Sequence, residues 1–529
     1  MTPTKNKDIK QRLSRETGTV TKDWGGRLPI ALVYPNSYYL GMSNLGIHSI
    51  YSLLNKYDDV VCERVFLEKP DGKTGAPSSV ESNRPLADFS LIAFSVSYEL
   101  DYFNIVSILK ASRIPLYAAD RDERHPLIIA GGPCITSNPM PLAPFFDCLC
   151  IGDAEPILPR MLPLLREGLN GSRDELMKKM TDLDGVYAPL YQNGRPVKRQ
   201  WAESLDEFPV HSAILTPDTE LGNLFLIEIE RGCSWGCRFC MVSTAFSPMR
   251  FRSVANILAQ AKQGLKFRKR LGLVGPAVCD HPHFEELAAG LLDLGAELSV
   301  SSLRIKPFPS LALREMIRSG ARTIALAPEA GSQRLRDIIR KNISESDILS
   351  AVDAIATENI RQLKLYYMIG LPTETDDDIE ELIKLTLACK AVLDKRQAGR
   401  RIALSIAPFV PKAGTPFQWL PMEEVPVLNN RISLLKNRLA PAGIDIKSES
   451  PAWSEVQAIL ARGNERLAGA LASMESISLA GWRKALRDHQ IDTETFHRRW
   501  DITADLPWSI IDSGLKTGKL ESELDLAFD

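Results

Sequence analysis

Short apolar strands alternate with amphipathic helices twice over in this chain of 529 residues, and that pattern constrains the fold more than any single motif. The first series runs PIALVYP, a helical GMSNLGIHSIYSLLNKY, VVCERVFL, DFSLIAFSVS, a helix over 102–109, IPLYAA, PLIIAGGP, DCLCIGD and a helix from Glu155. Strands that are apolar throughout and separated by helices belong in a parallel sheet covered on both faces. Residues 27–168 are therefore expected to form a doubly wound, Rossmann-like α/β domain behind a tail over 1–26. Over 169–222 the pattern changes, and GVYAPLYQNGRPVKRQW carries the Asn193-Gly194 hairpin signal, predicting a connector with a hairpin. The second series, NLFLIEIE, LGLVG, LSVSS, TIALA, LKLYYMI and RIALSIAP, fills 223–425. Its six βα units predict a (βα)6 partial TIM barrel, in which chemistry collects on the loops after the strands. Residues 426–529, with Trp453, Trp482, Trp500 and Trp508, read as a C-terminal, mainly helical region.

Composition narrows the class. Hydrophobic residues at 44% and charged residues at 25% describe an ordinary globular protein. Lys plus Arg number 64 against 66 for Asp plus Glu, which argues against a sequence-independent polyanion binder. The basic runs KFRKRLG and KRQAGRR read as solvated helix faces without the interleaved aromatics of a base-stacking surface. The opening MTPTKNKDIKQRLSRETG has no apolar run after its charges, and no stretch is long and apolar enough to span a bilayer, so a cytoplasmic, membrane-free protein is expected. In a reducing compartment nine cysteines do not suggest a disulfide framework; their spacing is what matters.

Directly after NLFLIEIE comes RGCSWGCRFC, which places Cys233, Cys237 and Cys240 in a C-x-x-x-C-x-x-C loop. Three converging soft ligands suit a metal or an iron–sulfur cluster, and three rather than four leave one iron open to another molecule. The other readings are a zinc site completed by Cys279, or three core cysteines. This spacing, with Phe239 before the last cysteine, resembles the radical S-adenosylmethionine enzymes. The resemblance implies that Cys233, Cys237 and Cys240 are catalytic as ligands of a 4Fe-4S cluster, whose open iron takes S-adenosylmethionine (SAM) and cleaves it reductively to a 5'-deoxyadenosyl radical. It also implies SAM contacts from Phe239, from Gly275 in LVGPAVCD, and from Ser301 and Arg304 in SSLRIKP. Further contacts are implied from Glu329 and Ser332 in APEAGSQRLRDIIRK, with Gly331 and Arg334 in the same segment, and from Tyr366, Met368 and Gly370 in KLYYMIGLPTET. A zwitterionic, cationic ligand does need a carboxylate, an anion partner and backbone at close approach.

The N-terminal segments NSYYLGMSNLG, FSVSYE, IAGGPC and CIGDAEP resemble the cobalamin-binding domain found ahead of the barrel in one branch of that family. Where that branch often carries D-x-H-x-x-G this chain has Asn36, Tyr38 and Gly41, so the cobalt-binding histidine is missing and a phenol is a poor substitute. Ser95, Ser97, Gly131, Gly132 and Gly152 lie at strand ends where an open sheet binds ligands, and are the remaining cobalamin candidates. His48, inside the following helix, reads as a packed histidine. The expected function is radical chemistry started from SAM on an unknown substrate, with cobalamin-dependent methyl transfer as one form of it. A low-potential electron donor such as flavodoxin or ferredoxin is then the expected partner. The alternatives are a methylthiotransferase-like modifier of RNA or protein, and a non-catalytic iron–sulfur or zinc module.

Overall fold

The structure, a computed structural model, describes residues 10–68, 75–168, 171–192, 194–396 and 399–529. It divides into two compact units: Met1–Phe225 with Leu460–Asp492 and Asp505–Leu515, and Leu226–Ile459 with Thr493–Ala504 and Lys516–Asp529.

The first unit is built on β1 (Leu28–Tyr34), β2 (Val60–Phe66), β3 (Leu91–Ser95), β4 (Leu127–Gly131), β5 (Cys148–Cys150) and β6 (Val186–Tyr187), in the order β2-β1-β3-β4-β5-β6. β1 to β5 are parallel, with Ile30 opposite both Cys62 and Leu91, and only β6 runs antiparallel. Every residue of β2 is buried, Arg64 included; its guanidinium lies 2.7 Å from both Glu16 and Glu81, so a charge that would be costly alone is paired on two sides. The direction of winding reverses between β1 and β3, and in an open sheet the crevice past the carboxyl ends of those strands is where ligands bind. IPLYAA, read as a strand, instead leads into a short 3-10 turn over Ala118–Asp120.

The second unit carries β7 (Phe225–Glu228), β8 (Arg270–Val274) and β9 (Glu297–Val300) in one sheet. A second sheet holds β10 (Thr323–Glu329), β11 (Gln362–Ile369), β12 (Arg401–Pro408) and β13 (Asp445–Ser448). Leu303 N–H donates to Ala325 O at 3.1 Å and stitches the two sheets together. Among the described residues no ladder joins β7 to β13, so the barrel stays open. Along β11 the buried residues Leu363, Leu365, Tyr367 and Ile369 alternate with half-exposed Gln362, Lys364, Tyr366 and Met368. A closed barrel fills its interior with branched apolar side chains; here the inner face is polar and reachable.

The structure adds detail to the expected organisation. β13 adds a seventh strand from the region expected to be mainly helical. That region also does not stand apart, because parts of it complete each unit. In the first unit Trp482 packs edge-on against Phe103 with ring centroids 5.3 Å apart, and Asn138 Nδ2 donates to Ala461 O and Gly463 O. The expected hairpin falls at Asn193, outside the described residues. The described runs on either side pair with other segments, Val186 with Cys150 and Val197 with Ile511. Among the described residues no helix is long and apolar enough to cross a membrane.

Candidate functional site

The cysteine loop leaves the carboxyl end of β7 and is pinched at its base by a two-residue antiparallel ladder, Arg231 opposite Arg250 and Glu230 opposite Phe251. Gly232 has φ +89°, and a Cβ there would come within 2.6 Å of Phe246 O, so the turn into the loop requires glycine. Arg238 is the anchor of the loop. Its N–H donates to Ile339 O at 3.1 Å, its guanidinium to Asp337 O and Ile338 O, and its Nε to Glu523 at 3.2 Å. The loop is thereby strapped to the end of the helix Gln333–Ile338.

Cys233, Cys237 and Cys240 are partly exposed, whereas Cys62, Cys134, Cys148, Cys150 and Cys389 are buried, which disposes of the core-cysteine reading. Cys237 senses the charges of Cys240 and Cys233, and Cys240 senses that of Cys233. Trp235 N–H donates to the Cys233 sulfur and Val242 N–H to that of Cys240, while burial pushes the Cys237 thiol up to about 11. Among the described residues no trio of ligating side chains is already closed around a metal position. Three reachable thiols with amide donors on two of them nonetheless fit a group held by three thiolates. Cys279 stands among Asp280, Glu230 and Arg304.

The other barrel candidates separate into two sets. Arg304 lies with its guanidinium carbon 3.5 Å from the ring centre of Trp235, inside the cysteine loop, and pairs with Asp280, which also accepts from Trp235 Nε1 at 2.5 Å. Glu329 ends β10 at a register shift with φ +68°, a left-handed conformation costly for a side-chain-bearing residue and characteristic of functional sites. Lys341 Nζ sits 3.2 Å from its carboxylate, and both charges reach Cys237. Ser301 is exposed just past β9, Phe239 and Gly275 are half-buried beside the loop, and Tyr366 and Met368 share the open inner face of β11.

Ser332 has a different job from the one expected. It is buried, caps the helix Gln333–Ile338 through Leu335 N–H, and donates to Asp378 at 2.6 Å, so its hydroxyl is already engaged. Arg334 pairs with the same Asp378, and a Cβ on Gly331 would meet Leu382 Cα at 2.3 Å. Gly370, at φ +75°, donates its N–H to Glu374 at 2.6 Å.

At the carboxyl ends of β1 and β3, Asn36 Nδ2 donates to Asp101 at 2.7 Å, and burial raises the Asp101 carboxyl to about 6. Ser97 Oγ lies 3.4 Å from the Tyr34 hydroxyl, and Ser95 is buried at the end of β3. Tyr38 drops out of the candidate ligand set. It is 2% exposed, packs edge-on against Phe66, lies under Arg12 and donates its hydroxyl to Glu16. Gly41 is needed because a Cβ would come 2.4 Å from Phe66; Gly152, at φ +116°, would bring one to 1.9 Å from Gln200 O. Gly132 similarly lets β4's loop close on Val96 O, whereas a Cβ on Gly131 would make only ordinary contact with Cys150. His48 meets Met42 O at 3.0 Å and Ile214 N–H at 3.3 Å as a buried, neutral ring.

Residues 46–189 match the family described as radical SAM proteins, N-terminal, and 227–386 match the radical SAM superfamily. An uncharacterised protein of Methanocaldococcus jannaschii is 33% identical over 446 residues, 83% of this chain and 89% of that one. This chain belongs to the radical SAM superfamily. An uncharacterised methyltransferase of Pyrococcus horikoshii is 23% identical over 275 residues, 49% of this chain and 57% of its own length. The radical SAM methyltransferase TsrM from Kitasatospora setae, solved with cobalamin and a 4Fe-4S cluster, is similar in fold at TM-score 0.50 and 12% identity, over 88% of this chain and 99% of that one. As a radical SAM enzyme the chain acts on a substrate and draws electrons from a donor. Glu230, Trp235, Asp280 and Lys341 are the residues of this site that motif reading passed over. Glu230 was visible only as the second of two alternating acids, after Glu228, at the end of an apolar strand run.

Proposed function

We propose that this radical SAM enzyme is a cobalamin-dependent methyltransferase whose cobalt takes no side-chain ligand. The observation that carries the reading is the exposed apolar surface at the switch point of the first sheet, where Tyr39, Leu40 and Tyr98 are 51%, 42% and 42% exposed beside the β1 and β3 loops. Large exposed apolar groups gathered at a ligand crevice suit a broad, flat ligand. The polar groups there are the Ser97 and Tyr34 hydroxyls, the Asn36 amide and the accepting Asp101 carboxylate, suited to the polar rim of a corrin, whereas Tyr38 and His48 are buried in other contacts. When bound, the cluster supplies the electron that cleaves SAM, and cobalamin supplies the methyl carrier.

The chain's own residues position and shield. Arg304, held flat on Trp235, offers a fixed fork for a carboxylate; Glu329 and Lys341 form a polar wall beside Cys237; Tyr366 and Met368 line the inner face. The methylthiotransferase alternative needs a second thiolate set, and Cys62, Cys148 and Cys150 lie instead in the apolar core of the first unit. A low-potential donor such as flavodoxin or ferredoxin, in the cytoplasm, suits the reduction of a cluster held by three thiolates. The test is anaerobic titration of the purified protein with hydroxocobalamin, followed by chromatography of the products from SAM and reductant. Stoichiometric binding with a spectrum lacking an imidazole-ligated cobalt, and S-adenosylhomocysteine formed only with cobalamin, is expected. A protein that ignores cobalamin yet forms 5'-deoxyadenosine would overturn the methyltransferase reading and leave the superfamily membership intact.

A further inference from the structure

Three neighbouring strands of the second unit are each preceded by an arginine. Thr323 of β10 stands opposite Gln362 of β11, and Gln362 opposite Arg401 of β12, so Arg322, Arg361 and Arg400 lie side by side just ahead of them. The backbone holds this row in line: Arg361 N–H donates to Arg322 O at 2.8 Å, and Arg401 N–H to Arg361 O at 3.1 Å. Neighbouring strands are about 4.8 Å apart, so like charges are gathered here that repel one another unless an anion is shared among them. A cavity of about 750 Å³ opens over these strand ends, the size of a small-molecule site. Arg322, Arg361, Arg400 and Arg401 line it, Asn359 and Gln362 add their amides, and no acid contributes to its wall.

The four guanidinium groups are not equally free. Arg400 is buried and donates to the carbonyls of Ala356 and Glu358, the latter at 2.8 Å, which fixes it as part of the floor. Arg322 donates Nη1 to Ala321 O at 3.1 Å. Arg361 and Arg401 are exposed, and among the described residues neither side chain has an ion pair or a hydrogen bond. Other exposed arginines of this unit do find a carboxylate, Arg396 with Asp353 and Arg438 with Glu380. The basic run KRQAGRR is therefore split: Arg396 sits in a solvated ion pair at a helix end, whereas Arg400 and Arg401 belong to the cavity.

We infer that this cavity is a second binding site, for a small anion that carries two or more linked phosphate groups. The arginine fork matches phosphate oxygens bidentately. One orthophosphate would fill a small part of the cavity, whereas a phosphate chain runs along the row and meets each arginine in turn. The cysteine loop leaves the opposite, carboxyl ends of the strands, and the eight residues of β11 at about 3.3 Å each put about 25 Å between the two ends. The site takes its ligand independently of SAM and of cobalamin.

The test is isothermal calorimetry of the reconstituted protein with inorganic triphosphate, orthophosphate, citrate and a single-stranded RNA oligomer. Ionic strength is held constant, S-adenosylhomocysteine is present throughout to occupy the SAM site, and iron content is checked after each titration. Triphosphate should bind once per chain, roughly tenfold or more tighter than orthophosphate or citrate. R361Q and R401Q alter exposed side chains that no fold contact uses, and each should weaken triphosphate roughly ten- to hundredfold, the range for a hydrogen bond to a charged group. K266Q, which removes the same charge from the other basic run, should leave the affinity unchanged. Triphosphate bound no tighter than orthophosphate overturns the inference without any variant. So does a K266Q that weakens triphosphate as much as R361Q, since the effect would then be one of net charge. RNA that binds where triphosphate does not overturns it too, in favour of an open track for a nucleic-acid backbone.

Discussion

Replacing Arg238 with alanine should free the cysteine loop without unfolding the unit that carries it. The side chain is buried and its guanidinium serves two carbonyls at the end of the helix Gln333–Ile338 as well as Glu523. Glu523 keeps Arg340, so the variant does not strand an unpaired carboxylate, and the carbonyls at the helix end can be hydrated. The remaining loss is two to three bonds to a charged donor, each about 1.5–3 kcal/mol when intact, less the part that water recovers. An opening free energy lower by about 2–4 kcal/mol follows, which is roughly thirty- to thousandfold more loop opening at equilibrium. Hydrogen exchange followed by mass spectrometry over peptides spanning 232–249 measures this directly, and iron content after reconstitution gives the functional consequence. R238K, which keeps the charge but loses the fork, should fall between parent and R238A. Unchanged exchange in that segment, with a full complement of iron in R238A, would refute the idea that this arginine holds the loop.

Other outcomes follow from the same contacts. G152A places a Cβ 1.9 Å from Gln200 O at φ +116°, and should lower stability by more than about 3 kcal/mol in a thermal melt; a neutral effect would contradict the close approach. Burial lowers His48 to about 4 from 6.5. The unfolded chain therefore takes up a proton that the folded chain refuses, and stability is lost as pH falls from about 6.5 toward 4. That loss amounts to about 3 kcal/mol in all, so urea midpoints of H48Q should be the less pH-dependent over that window, and parallel curves would refute this. Y38F should leave cobalamin affinity and spectrum unchanged while costing about 1–2 kcal/mol of stability through Glu16; a changed cobalt spectrum would return Tyr38 to the site.

The parts of this protein legible in its sequence are those where one physical requirement dominates. β1, β3 and β4 are unbroken apolar runs because both faces are covered, and β11 and β12 alternate because one face looks into the barrel. The thiolate loop was legible because three soft ligands at that spacing serve few other purposes. β13 was not, since Asp-Ile-Lys-Ser at a half-exposed edge has no apolar signature. Ser332 reads alike as ligand or as N-cap, and only the position of Asp378 decides between them. Gly41 and Gly152 look like turn or ligand glycines until Phe66 and Gln200 arrive from elsewhere in the chain. Glu230 carries the same lesson in reverse: alternation along its strand accounts for an acid at that position, and only the missing partner of Oε2 sets it apart.

The central claim is that Cys233, Cys237 and Cys240 hold the group that starts radical chemistry on SAM. Anaerobic reconstitution of parent and C233A/C237A/C240A, followed by chromatographic detection of 5'-deoxyadenosine after adding SAM and reductant, tests it most directly. The parent should form 5'-deoxyadenosine and, with cobalamin present, S-adenosylhomocysteine, while the triple variant retains neither iron nor product. A parent with a full cluster that forms neither product and shows no change in its electron paramagnetic spectrum on adding SAM would contradict the account.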